Sequence, residues 1–83
     1  MSYSVKFDKN ASGFLEKLEV KESLRIINKL ENVKENPFHY LEHYEGEYYK
    51  LRVGDYRLLI DIDFEEKILW VRILDKRGRI YKR

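Results

Sequence analysis

Beyond a short first segment, the period of the apolar residues changes at the chain's single proline, Pro37. Before Pro37 apolar residues recur at helical spacing; after it they alternate. Ala11, Phe14, Leu15 and Leu18 fall at i, i+3, i+4 and i+7, with Asp8 or Asn10 placed to cap the helix. A second helix is predicted from about Val20 or Lys21 to Asn36. Leu24, Ile27 and Leu30, with Ile26 and Val33, form its apolar stripe, and Glu22, Arg25, Lys29 and Glu35 lie mostly on the wet side. Pro37 disfavours helical geometry at Asn36 and ends that helix. A short alternating run, Ser4-Val5-Lys6-Phe7, precedes both helices as a first strand.

After Pro37, Tyr49, Leu51 and Val53 alternate with Tyr48, Lys50 and Arg52. Gly54-Asp55 is a two-residue turn signal. Tyr56, Leu58, Ile60 and Ile62 then alternate with Arg57, Leu59, Asp61 and Asp63, and a turn near Glu65-Glu66 leads to a strand from about Lys67 to Leu74. The expected fold is a single α+β domain over residues 1–83. An N-terminal strand and a tight helical hairpin are followed by a three-to-four-stranded antiparallel sheet packed on the helices, in the order β-α-α-β-β-β.

These turns fix a register. Val53 pairs with Tyr56, Arg52 with Arg57, Leu51 with Leu58 and Lys50 with Leu59. Across the next turn Ile62 pairs with Leu69, Ile60 with Val71 and Leu58 with Ile73. The core face then holds Tyr49, Leu51, Val53, Tyr56, Leu58, Ile60, Ile62, Leu69, Val71 and Ile73. The opposite face carries Tyr48, Lys50, Arg52, Arg57, Leu59, Asp61, Trp70, Arg72 and Leu74.

Arg52 opposite Arg57 is the most informative pair. Like charges facing each other on antiparallel strands destabilise a sheet by up to about 1 kcal/mol. Lys50 on the same face adds to the repulsion, and Leu59, Trp70 and Leu74 leave apolar surface beside it. Such a face is expected to bind an anion. Arg57→Ala is accordingly expected to relieve repulsion and leave stability unchanged or slightly higher.

Charge separates along the chain in the same sense. Residues 1–47 carry seven Lys/Arg against nine Asp/Glu, or −2; residues 48–83 carry ten against six, or +4. Lys76, Arg77, Arg79, Lys82 and Arg83 close the chain with no acid after Asp75. An anionic partner for the second half follows, nucleic acid being the commonest. Tyr81, within this segment, could stack on a base or hydrogen-bond a ribose or phosphate. With no cysteine, disulfides and thiolate chemistry are excluded. His39 and His43, four apart after Pro37, are read as surface residues, so neither metal nor cofactor is expected. No signal-peptide run or bilayer-spanning stretch is visible, which points to the cytoplasm and away from a membrane.

The block Tyr48-Tyr49-Lys50-Leu51-Arg52-Val53-Gly54-Asp55-Tyr56-Arg57-Leu58-Leu59-Ile60 resembles the central strands of RelE/ParE-type toxins, where a basic strand precedes a Gly-x-Tyr-Arg turn. The ending Lys76-Arg77-Gly78-Arg79-Ile80-Tyr81 is similar to that superfamily's basic-Arg-x-x-(Val/Ile)-Tyr terminus. The resemblance, closest to RelE, implies the toxin of a type II toxin–antitoxin pair: a metal-independent endoribonuclease that cleaves mRNA in the ribosomal A site. It implies that Lys50, Arg52, Arg57, Arg77 and Tyr81 are the catalytic and phosphate-binding set. Arg72, Lys76, Arg79, Lys82 and Arg83 would bind RNA around them. The implied partners are a RelB-like antitoxin, in a toxin–antitoxin heterotetramer, together with the ribosome and mRNA. Arg52 stands where RelE has lysine, and arginine stays protonated, so a proton-accepting role does not pass to it. A ParE-like toxin acting on gyrase, or a non-catalytic nucleic-acid-binding domain, would share the fold.

Overall fold

The computed structural model describes residues 2–76. The elements are β1 (Ser4–Phe7), α1 (Lys9–Glu16), α2 (Val20–Val33), α3 (Pro37–Tyr40), β2 (Glu42–Glu45), β3 (Tyr48–Val53), β4 (Tyr56–Asp63) and β5 (Ile68–Lys76). Five strands form one sheet in the order β1-β5-β4-β3-β2. The last four make an antiparallel meander, and β1 joins its far edge parallel to β5. The fold is α+β, as the change of period requires.

Ile26, Leu30 and Val33, at i, i+4 and i+7, are the residues α2 buries against the sheet. Leu24 lies off that stripe, 51% exposed. Helix α1 contributes Ala11 to the core, and its Phe14 ring meets Tyr56 edge-on at 6.2 Å. Asp8 occupies the N-cap position of α1 without capping it; its carboxylate instead accepts a hydrogen bond from Arg72 Nη1 at 2.8 Å. Helix α2 ends at Val33, three residues short of the expected Asn36. Pro37 then opens the short α3 at its first position, where the missing N–H costs no intrahelical bond.

The β3–β4 hairpin has the expected register, Val53 to Tyr56, Arg52 to Arg57, Leu51 to Leu58 and Lys50 to Leu59. Gly54 in its turn has φ +59°, a left-handed conformation that a side chain rarely adopts. A Cβ there would stand 2.6 Å from Arg25 Nη1. Gly54→Ala is therefore expected to lower stability by about 1–2 kcal/mol, measured by urea unfolding, and to push the Arg25 guanidinium off the turn.

The β4–β5 register departs from expectation. Ile62 pairs with Leu69 and Ile60 with Val71, but Leu59 then pairs with Ile73 and Leu58 with Leu74. Arg72 is the extra residue of a β-bulge. The bulge reverses the two faces beyond it. Leu74, expected on the outer face, is a core residue at 4% exposure, whereas Ile73, expected in the core, is 41% exposed. Leu59 is buried as well. The apolar outer surface expected from Leu59 and Leu74 is thus absent, and only Trp70 of the three remains partly exposed. Strand β2 was not anticipated: Glu42-His43-Tyr44-Glu45 is exposed throughout and carries no alternation to read.

Candidate nucleic-acid site

Lys50 and Arg52 on β3 and Arg57 on β4 come together at one pocket of about 370 Å³. Its other lining residues are Lys29 of α2, Tyr40 of α3, Glu42 of β2 and Leu51. Four cations and one carboxylate line it, an excess of three positive charges in a partly enclosed space. That concentration favours an anion of high charge density, such as a phosphodiester.

The cations differ in how they are held. Arg57 is 1% exposed, the only charged residue among the buried ones described. Its guanidinium carbon lies 5.8 Å from the centre of the Tyr44 ring, and Asp75 is its register partner on β5. The sequence placed Arg57 on an exposed face; instead it is buried within the protein at the wall of the pocket. Its burial also reverses the expected sign of Arg57→Ala, because truncation now leaves a hole. Arg52, in contrast, is exposed. Lys50 Nζ lies 3.4 Å from Glu42 Oε1 and 5.8 Å from the Tyr44 ring centre. Lys29 Nζ stands over the Tyr40 ring at 4.9 Å. Partly exposed pairs of this kind contribute little to stability and can exchange for a phosphate.

Lys29, Tyr40, Glu42 and Tyr44 were not among the residues singled out from sequence. Lys29 does lie off the buried stripe of α2, but that wet side turns toward β3 and not only toward bulk water. A signal was present in the spacing of Lys29 from Arg25, two cations one helical turn apart.

Arg72 is not at this pocket. Its Nη1 donates to Asp8 at 2.8 Å and its Nη2 to Asp61 at 3.4 Å, tying β5 to the start of α1 and to β4. The Asp8 hydrogen bond, opposed by partial burial and helped by Asp61, raises its pKa further above the ordinary arginine value. Lys76 is exposed at the end of β5. Arg77, Arg79, Tyr81, Lys82 and Arg83 lie outside the described residues. Among the described residues no group of His, Asp or Glu is arranged to hold a metal. His43 Nε2 is 2.8 Å from the Gly46 carbonyl, and His39 packs edge-on against Tyr40. No helix among the described residues is long and apolar enough to cross a membrane.

The sequence profile of the family described as the ParE toxin of the type II toxin–antitoxin system parDE matches residues 5–81. The chain belongs to the RelE/ParE toxin superfamily. It is thus the toxin type of a type II toxin–antitoxin system. A search of curated proteins gave no match. Among solved structures, the RelBE2 toxin–antitoxin complex of Mycobacterium tuberculosis is similar with a TM-score of 0.83 and 23% identity, covering 94% of each chain. An E. coli RelE mutant in complex with a peptide of its antitoxin RelB matches at 0.74 and 26% identity, over 100% of this chain and 98% of that one. A chain of the chromosomal ParDE system of Pseudomonas aeruginosa matches at 0.67 and 10% identity, over 90% and 96%. The RelE-like and ParE-like branches therefore share this fold, and the choice between them rests on the site.

Proposed function

We propose that this RelE/ParE-superfamily toxin is a ribosome-dependent endoribonuclease that cleaves mRNA in the A site and so stops translation. The observation that carries the proposal is the convergence of Lys50, Arg52 and Arg57 with Lys29 on one pocket. Four cations around one pocket suit a reaction in which negative charge builds on a phosphate.

The reaction is attack of a ribose 2′-OH on the adjacent phosphorus. The new P–O bond closes a 2′,3′-cyclic phosphate as the bond to the 5′ oxygen breaks, leaving a 5′-OH. Negative charge builds on the phosphorane oxygens in between, and fixed cations stabilise it most effectively because they need no reorganisation. Buried Arg57 fits that role. Arg52 and Lys29 hold the flanking charge, while Lys50, with Glu42 beside it, orients the phosphate. The 2′ proton needs an acceptor, and the leaving oxygen needs a donor. The Glu42 carboxylate or Tyr81 can take the first proton and the Lys50 ammonium can supply the second, while Arg77, which stays protonated, adds positive charge. A RelB-like antitoxin, paired with the toxin in a heterotetramer, would silence the site by covering it with an acidic segment.

The ParE reading retains support from the family profile and from the ParDE match, and one comparison separates the two. Within minutes of expression, methionine incorporation is expected to stop while thymidine incorporation continues, and purified protein is expected to leave gyrase supercoiling unchanged. Loss of supercoiling with translation intact would instead support a gyrase target. Binding should also weaken with salt. Each of Lys29→Gln, Lys50→Gln and Arg52→Gln is expected to lower the slope of log affinity against log salt by about 0.7 on single-stranded RNA. Slopes unchanged in all three would argue against a phosphate-reading pocket.

A further inference from the structure

Helix α2 presents Arg25, Asn28, Lys29 and Asn32 at i, i+3, i+4 and i+7, a polar stripe along one side. The structure lays this stripe beside the β3–β4 turn. Together with Arg52, Val53 and Gly54 it lines a groove of about 330 Å³. Lys29 and Arg52 line both this groove and the phosphate pocket, so the two spaces adjoin. The groove's charged lining residues are cations alone: Arg25, Lys29 and Arg52.

We propose that this groove is a second nucleotide subsite, in which Arg25 and Lys29 hold the phosphate next to the scissile one and Asn28 and Asn32 read the attached base. The assignment rests on the ribonuclease function proposed above. An RNA strand seated with one phosphate at Arg57 must leave the pocket along some path, and a path lined by cations is the favourable one. Arg25 is free to serve there. Its one ion pair, to Glu22 Oε1 at 3.3 Å, is exposed and exchanges readily for a phosphate. Gly54 is what lets the guanidinium lie against the turn, since a Cβ would stand 2.6 Å from its Nη1.

The two asparagines distinguish this groove from a merely basic surface. Both are exposed, and neither side-chain amide hydrogen-bonds to another described residue. Each offers a donor and an acceptor in one plane, the pattern that matches the N6 and N7 edge of adenine. Single-stranded RNA presents such edges freely. The subsite therefore favours adenine in the nucleotide next to the cut.

The test is an NMR titration of the isotope-labelled full chain with an adenosine trinucleotide methylated at its 2′ oxygens, with inorganic phosphate as control. The trinucleotide is expected to shift the side-chain signals of Arg52 and Arg57 together with those of Arg25, Asn28 and Asn32. Phosphate, which carries no base, is expected to leave the Asn28 and Asn32 signals unshifted. Shifts confined to Arg52 and Arg57 with the trinucleotide would overturn the subsite and leave the ribonuclease reading standing. No shift in either group would overturn the subsite, and absence of cleavage on programmed ribosomes would overturn the ribonuclease reading with it. Asn28→Ala and Asn32→Ala supply a second readout on ribosome-bound mRNA. Each is expected to reduce the preference for adenine beside the cut by roughly 5-fold or more. An unchanged cleavage profile in both variants would overturn base reading by these residues.

Discussion

Arg57→Ala is expected to slow single-turnover mRNA cleavage by roughly 100-fold or more and to lower stability by about 2 kcal/mol. The first effect follows from its place at the pocket: removing one fixed donor to a developing oxyanion typically costs that much. The second follows from burial, because Arg57 is 1% exposed and its truncation leaves a cavity that neighbours fill only in part. Relief of repulsion from Arg52 offsets this by less than about 1 kcal/mol. Because both quantities fall together, the rate is to be measured well below the variant's melting temperature. Arg57→Lys supplies the control, keeping the charge and most of the stem while losing the planar fork. It should retain more of the stability and still cleave slowly, since an ammonium cannot bind two phosphorane oxygens at once. A folded Arg57→Ala protein that cleaves at the wild-type rate would remove Arg57 from the chemistry.

Leu74→Ala is expected to cost about 2–5 kcal/mol, and Ile73→Ala less than about 1 kcal/mol. Leu74 is 4% exposed behind the bulge, whereas Ile73 points to the outer face at 41%. A domain of 83 residues has a stability of only about 4–12 kcal/mol. Leu74→Ala therefore consumes a large share of it, and its urea midpoint should fall far below that of Ile73→Ala. The two side chains are both aliphatic and adjacent, so the contrast reports register and little else. A larger loss at Ile73 would mean that β5 pairs with β4 without the bulge.

The same two residues show where the sequence stops being informative. The turn at Gly54-Asp55 sets the β3–β4 register by its length, and every pair from Val53–Tyr56 to Lys50–Leu59 could be read from it. Ile62–Leu69 and Ile60–Val71 followed from the next turn in the same way. The bulge at Arg72 did not, because it adds one residue without breaking the apolar alternation around it; Ile73 and Leu74 serve equally well on paper at either position. What fixes the bulge is tertiary: Arg72 reaches Asp8, sixty-four residues away, and Asp61 on β4.

Lys50, Arg52 and Arg57 were recognisable as a cluster because register alone brings them onto neighbouring strands. Lys29, Tyr40 and Glu42 were not, since they reach the pocket from α2, α3 and a fully exposed strand. Their arrival depends on how the helices sit on the sheet, which periodicity does not specify. The burial of Arg57 was hidden for a similar reason. Alternation assigns a face to a residue, but it does not say whether another element covers that face.

The account is tested most directly by mapping cleavage on ribosomes programmed with a defined mRNA and stalled with an empty A site. With the wild-type chain it predicts a single cut in the A-site codon, in the absence of added metal-dependent nuclease activity, leaving a 2′,3′-cyclic phosphate and a 5′-OH. The cut should disappear in folded Arg57→Lys protein on the same timescale. Intact mRNA after prolonged incubation with folded wild-type protein would contradict the account, as would products ending in a 3′-OH.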